Sequence, residues 1–133
     1  MKLSKKSEYA CLALIDLAEN YNKGFVKIED ICIRKEIPKK YLEQIFMLLK
    51  GAGYIRSKRG AEGGHKLAKA PREISIAEIV RLMDGALAPV ESVSRYFYEQ
   101  TPIEKHEPLL SLFREIRDYI AHKLESTTFA DLI

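Results

Sequence analysis

The chain has 133 residues, 47% hydrophobic and 31% charged, with a formal net charge of +3. That length accommodates one domain with a small core and excludes a large multidomain enzyme. No run of about 18 uncharged apolar residues is present to cross a membrane, and the charge-interrupted N-terminus is no secretory signal, so the chain is expected in the cytoplasm, away from membranes. The charge is uneven. Residues 1–70 hold 15 Lys/Arg against 8 Asp/Glu, and residues 71–133 hold 7 against 11. A basic half joined to an acidic half suits a polyanion-binding end and a separate assembly or sensing end.

The first helix is predicted over Lys5–Asn20. Tyr9, Leu12, Ala13, Asp16, Leu17 and Asn20 alternate with Ala10, Leu14, Ile15 and Ala18 in a broad apolar stripe. Gly24 closes the loop that follows. A short second helix covers Ile28–Lys35, with Glu29 and Asp30 in its first turn and Arg34 and Lys35 in its last. Glu36-Ile37-Pro38 makes a tight connection, since Pro38 cannot continue the preceding helix but suits the start of the next. The third helix runs over Lys39–Lys50. Leu42, Ile45, Phe46 and Leu49 face the core, and Lys39, Lys40, Glu43, Gln44 and Met47 share the opposite face. The two cysteines, Cys11 and Cys32, are expected as reduced core thiols rather than a disulfide or metal pair.

Tyr54–Lys58 reads as a strand, residues 59–64 as a glycine-rich tip, and His65–Ala68 as the returning strand. A fourth helix starts at Ser75, where Ser75 and Glu78 form a capping box, and ends near Asp84-Gly85. Residues 86–106 are irregular, with an aromatic group at Tyr96-Phe97-Tyr98. The last long helix runs over Glu107–Glu125, and Leu109, Leu112, Phe113, Ile116, Ile120 and Leu124 form one stripe. Thr128 caps a final short turn.

Helix, short helix, tight turn, helix and glycine-tipped hairpin spell a winged helix-turn-helix over residues 1–85, in a mainly α fold. A linker or sensing loop (86–106) and a dimerisation helix with its tail (107–133) follow. The third helix carries the polar face that major-groove recognition needs. Glu43 can accept from cytosine N4 and Gln44 can pair with adenine. Lys39, Lys40 and Tyr41 suit phosphates or guanine edges near the helix start. Lys58, Arg59 and Gly60 form a thin tip that fits a minor groove. Lys2, Ser4, Lys5 and Lys6 can touch phosphates from the N-terminal segment. The plainer alternatives are an ordinary i,i+4 surface pair at Lys39 and Glu43 and a simple turn at Gly63-Gly64.

In these motifs the chain resembles the Rrf-two family, the IscR- and CymR-like bacterial transcription factors. The residues that carry the resemblance are the opening residues 1–10, the run Tyr41-Leu42-Glu43-Gln44-Ile45-Phe46, the wing Arg59-Gly60-Ala61-Glu62-Gly63-Gly64-His65-Lys66-Leu67, and the tail over residues 124–132. The resemblance implies a homodimer joined by the long C-terminal helices and a pseudo-palindromic double-stranded DNA operator, read most simply as the target of a repressor.

The chain departs from many members of that family at the cofactor. They hold an iron–sulfur cluster through three cysteines before the long helix, and this sequence has none between residues 86 and 108. Cluster iron wants thiolate ligands, so no cofactor is expected at that place. Glu8, which matches a carboxylate ligand of some relatives, then reads as a favourable anion in the first turn. Three other signals bear on what the chain senses. Tyr96, Phe97, Tyr98, Ile103 and His106 could line a pocket for a planar ligand such as haem. Ile133 could dock into a metabolic enzyme, as CymR-like relatives partner O-acetylserine sulfhydrylase. Cys11 or Cys32 could be oxidised, though nothing nearby lowers either pKa.

An enzyme is the competing class. His65, His106 and His122 join no cysteine, serine or carboxylate at a catalytic spacing, and there is no phosphate loop, dinucleotide fingerprint or metal motif. A protein-interaction module without DNA binding is the remaining rival, and the polar face at Lys39 to Gln44 argues against it.

Overall fold

The computed structural model describes residues 2–89, 91–94 and 99–133. α1 spans Lys5–Glu19. It starts there because the Ser4 hydroxyl accepts from the Ser7 N–H at 3.1 Å, satisfying one of the donors a helix start leaves free. Ala10, Ala13, Leu14 and Leu17 are fully buried, so the small residues let neighbouring helices approach α1 closely.

α2 (Ile28–Lys35) ends where Glu36 takes a left-handed conformation, φ 53°. Ile37 then donates back to the Cys32 carbonyl at 3.0 Å, and Pro38 caps α3 (Lys39–Gly51). α3 buries Leu42, Ile45, Phe46 and Leu49, the four positions that the 3.6 periodicity assigns to the core.

β1 (Ile55–Lys58) and β2 (Gly64–Leu67) pair antiparallel, with Ile55 opposite Leu67 and Lys58 opposite Gly64. Tyr54 lies outside the strand predicted for it. Its N–H returns to the Leu49 carbonyl at 2.9 Å to finish α3, and its hydroxyl reaches Glu78 at 3.1 Å. Ala68 likewise falls outside the second strand, and Gly64 falls inside.

α4 (Ile76–Asp84) opens with the expected capping box between Ser75 and Glu78, a device worth about 1 kcal/mol. α5 (Glu107–Ser126) is the long C-terminal helix. Thr128 and Asp131 form a second capping box on the last turn, Phe129–Leu132. That turn folds back into the N-terminal region. Phe129 donates to the Ile74 carbonyl at 3.1 Å, and Ile76 donates to the Thr127 carbonyl at 2.9 Å. Phe129 is fully buried in the common core, its turn packed on α1 and on the turn Pro71–Glu73, so the tail belongs to the same core as the winged helix-turn-helix.

Three expectations need correction. The α5 stripe is two faces. Leu110, which the predicted stripe omitted, is buried, and Phe113, Ile120 and Leu124 are half-buried. Leu109, Leu112 and Ile116 instead stand outward with Tyr119 (36%, 49%, 37% and 73% exposed). A broad apolar pattern on an α-helix covers more than one neighbour's contact width, so part of it faces away from its own core. Second, Cys11 and Cys32 are half-buried rather than core, because each sits at the border of its helix's inner face. Third, Asp16 is no member of the apolar stripe in the ordinary sense. It is a fully buried carboxylate held by Arg34, whose own side chain stays half-exposed.

Candidate nucleic-acid interface

The exposed face of α3 carries Lys39, Lys40, Tyr41, Glu43, Gln44 and Met47, the face predicted. Burial of Leu42, Ile45, Phe46 and Leu49 on the reverse fixes its rotation. Lys39 is engaged with Glu29 of α2 at 3.0 Å. Hydrogen bonding to Glu29 raises the Lys39 pKa, and a backbone hydrogen bond, then the bond to Lys39, lowers that of Glu29. The pair ties the two helices together at the edge of the interface.

The wing leans against α3 through His65. Its ring meets Phe46 edge-on with centroids 4.7 Å apart, and its Nδ1 lies 2.8 Å from the Ser57 hydroxyl. Burial and the nearby Lys50 lower the His65 pKa, which favours the neutral ring. Between α3 and the wing lies a groove of about 520 Å³, lined among others by Glu43, Met47, Lys58, Arg59 and His65. The predicted recognition face and wing therefore share one concave surface.

The tip is held from behind. Lys27 donates to the Gly60 carbonyl at 2.8 Å, and Val26 bridges His65 as a third strand position, with N–H···O distances of 2.8 Å in both directions. Gly60 adopts φ +100°, a conformation that favours glycine. A Cβ at Gly63 would run into the Lys58 carbonyl, so the turn cannot carry a side chain there. Lys58 and Arg59 remain exposed at the tip. Nothing in the sequence marks Lys27 and Val26 for this role. Their role rests on a long-range bridge with no local signature.

The N-terminal segment divides. Lys2, Lys5 and Lys6 are exposed, and Lys5 lies 3.6 Å from Glu8. Ser4 does not face outward as a phosphate contact. Its N–H donates to Asp84 Oδ2 at 2.9 Å, its hydroxyl also donates to Asp84, and it caps α1. Ser7 adds a bond to Asp84 at 2.8 Å. Burial pushes the Asp84 carboxyl up, but these bonds and Lys6 together hold it below its ordinary value. Tyr9, which the periodicity assigns only to the stripe of α1, stacks at a tilt on Tyr41, centroids 6.1 Å apart. With Lys5, Lys6 and Gln44 the two rings line a small cavity of about 170 Å³, joining the start of α1 to the recognition face.

Of the proposed sensing residues, the structure describes Glu8, Ile103 and His106. Tyr96, Phe97 and Tyr98 lie outside the described residues. His106 is exposed and caps α5, its Nδ1 accepting from the Leu109 N–H at 3.3 Å; helix-start chemistry accounts for its place. Ile103 is half-buried in the turn Pro102–Lys105. Glu8 stands in the first turn of α1, beside an apolar groove formed by Leu3, Cys11, Leu12, Ile15 and Val80. Burial, then Asp84, pushes the Cys11 thiol up to about 11. Burial and Glu29 raise Cys32 as well.

The profile of the Rrf2 family, described as an iron-dependent transcriptional regulator, matches residues 3–133. The HTH-type transcriptional regulator CymR of Bacillus subtilis is 33% identical over 132 residues, covering 99% of this chain and 89% of the relative. A putative rrf2-like HTH-type regulator of Rhodobacter capsulatus is 41% identical over 100 residues, covering 73% of this chain and 67% of the relative. Among solved structures, that of B. subtilis CymR, the global cysteine regulator, superposes with a TM-score of 0.81 at 32% identity, covering 99% of this chain and 95% of that one. T. potens IscR superposes with a TM-score of 0.77 at 31% identity, covering 99% and 85%.

The two thiols of this chain do not make the ligand set of an iron–sulfur cluster. Cluster iron takes thiolates, and the two thiols here lie on different helices and are both shifted toward the protonated form. Among the described residues no three His, Cys, Asp or Glu side chains converge.

Proposed function

The chain belongs to the Rrf2 family of transcriptional regulators, and from that premise we propose that it is a DNA-binding repressor acting as a homodimer on a pseudo-palindromic operator. The observation that carries this reading is the shared concavity of α3 and the wing. A polar helix face and a basic loop tip, fixed to one another through His65 and Phe46, present themselves to one duplex. α3 would enter the major groove with Glu43 and Gln44 at base edges, and Lys58 and Arg59 would enter the adjacent minor groove. Lys2, Lys5, Lys6 and Lys40 would meet phosphates.

The dimer is supported by α5. Leu109, Leu112, Ile116 and Tyr119 follow one another at spacings of three and four residues along its outer face, and all four are exposed. Such a row on a long helix is the kind of surface that a second copy covers. A two-fold pair of winged helices would then read two half-sites about one helical turn apart.

Selection of bound duplexes from a random pool tests the reading. An inverted repeat as the consensus is the expected outcome. Recovery of no consensus, with binding to all duplexes alike, would sink sequence-specific regulation. Repression would be read by placing the recovered site within a promoter and measuring transcription with and without the protein.

A further inference from the structure

We propose that the outer face of the wing, centred on Arg56 and Lys66, is a second phosphate-binding surface that grips the duplex beyond the base pairs read by α3. This inference rests on the DNA-binding reading above and extends it to residues that reading does not use.

The hairpin has two faces. Ile55, Ser57, His65 and Leu67 face inward, and His65 packs on α3. The alternation then puts Arg56 and Lys66 on the face turned away from α3, while Lys58, at the end of β1, borders both that face and the groove beside α3. Arg56 and Lys66 stand directly opposite one another in the register. Like charges in that position destabilise a hairpin, so a fold selected for stability alone gains nothing from them. Phe25 holds the arrangement in place, its ring centroid 4.7 Å from the Lys66 ammonium and 5.7 Å from that of Lys58. The aromatic face attracts both cations without neutralising either. Among the described residues, no carboxylate pairs with Arg56, Lys58 or Lys66. A recess of about 440 Å³ beside them is lined by Tyr21, Asn22, Arg56 and Lys66.

The position selects the partner. With α3 in a major groove, the wing tip enters the neighbouring minor groove, which is only about 6 Å wide. The face of the wing turned away from α3 must then meet the far phosphate strand of that groove. Uncompensated cations at that place match a row of phosphates.

The experiment is a polarisation titration with the selected site in two lengths, one trimmed to the consensus and one with native-length B-DNA flanks. The variant is Arg56→Gln with Lys66→Gln, which keeps hydrogen-bonding side chains at exposed or half-exposed positions. The wild type is expected to bind the flanked duplex more tightly than the trimmed one. The double variant is expected to lose that difference, to keep the consensus, and to show a slope of log affinity against log salt smaller by about 1.8, for two lost phosphate contacts. Its melting temperature should equal or exceed that of wild type, because the opposed cations are gone; this separates lost binding from lost folding. An unchanged salt slope and flank dependence would overturn the inference and reassign these cations to an acidic protein partner. A wild-type chain that binds neither duplex overturns the DNA-binding reading, and this inference with it.

Discussion

The buried Asp16 carboxylate of α1 takes both forks of the Arg34 guanidinium of α2, Nε to Oδ2 at 2.8 Å and Nη2 to Oδ1 at 2.9 Å. The Asp16 side chain is 2% exposed and that of Arg34 47%, so the pair reaches from the core to the surface. Asn20 adds its amide to the Asp16 carbonyl at 2.9 Å. This bond network fixes α2 against α1 and thereby sets the first helix of the helix-turn-helix.

Arg34→Ala should therefore destabilise the fold severely. It leaves a carboxylate buried without its cation, which costs about 3 kcal/mol at the low end for broken buried pairs. Arg34→Lys should recover only part of that, since an ammonium cannot make the bidentate fork. Urea unfolding of the two variants checks both statements. Wild-type stability in the Ala variant would mean that water replaces the guanidinium fully.

Arg59→Ala should weaken DNA binding and lower the salt slope by about 0.9, as loss of one phosphate or minor-groove cation does. Glu43→Ala should act differently. In the proposed complex Glu43 would face base edges, so its loss should relax base preference at one position per half-site, by about 1–3 kcal/mol of discrimination, more than it weakens non-specific binding. Selection with each variant distinguishes them. The same consensus from Glu43→Ala and wild type would remove Glu43 from base readout.

Ile116→Asp should convert the proposed homodimer to a monomer. The side chain lies mid-way along the outer row of α5 and makes little contribution to its own core, so the variant should fold. Sedimentation gives the mass, and circular dichroism confirms the helix content. A variant that stays dimeric would place the self-association surface elsewhere.

His65 gives a pH dependence with a definite sign. Its pKa is lowered in the fold below the ordinary 6.5. The unfolded chain thus binds more protons than the folded one in the window below that value, and stability rises with pH there. The contribution is complete above about pH 6.5 and is lost as pH falls through the folded value. His65→Gln should flatten this part of the stability profile. Parallel profiles for the two proteins would show that the ring titrates as it does in the unfolded chain.

Much of this protein was legible in its sequence. Ser75 with Glu78, Pro38 and the glycines at the wing tip punctuate the chain, and capping and turn chemistry act within a few residues. The exposed face of α3 followed from the spacing of Leu42, Ile45, Phe46 and Leu49, because a helix folded onto a core must bury that stripe. These are local rules, and a linear sequence carries them in full.

Tertiary structure alone decided the rest. The capture of Ser4 by Asp84 spans 80 residues, and the return of Phe129 to Ile74 spans 55. Neither leaves a periodic trace. The apolar residues of α5 announce a helix but not which of them face their own core; the placement of α4 and of the turns before α5 divides Phe113, Ile120 and Leu124 from Leu109, Leu112 and Ile116. Asp16 reads as a misfit in an apolar run until the fold brings Arg34 against it. A sequence states what each segment must bury, while partners for charges and for second faces exist only once distant segments have packed.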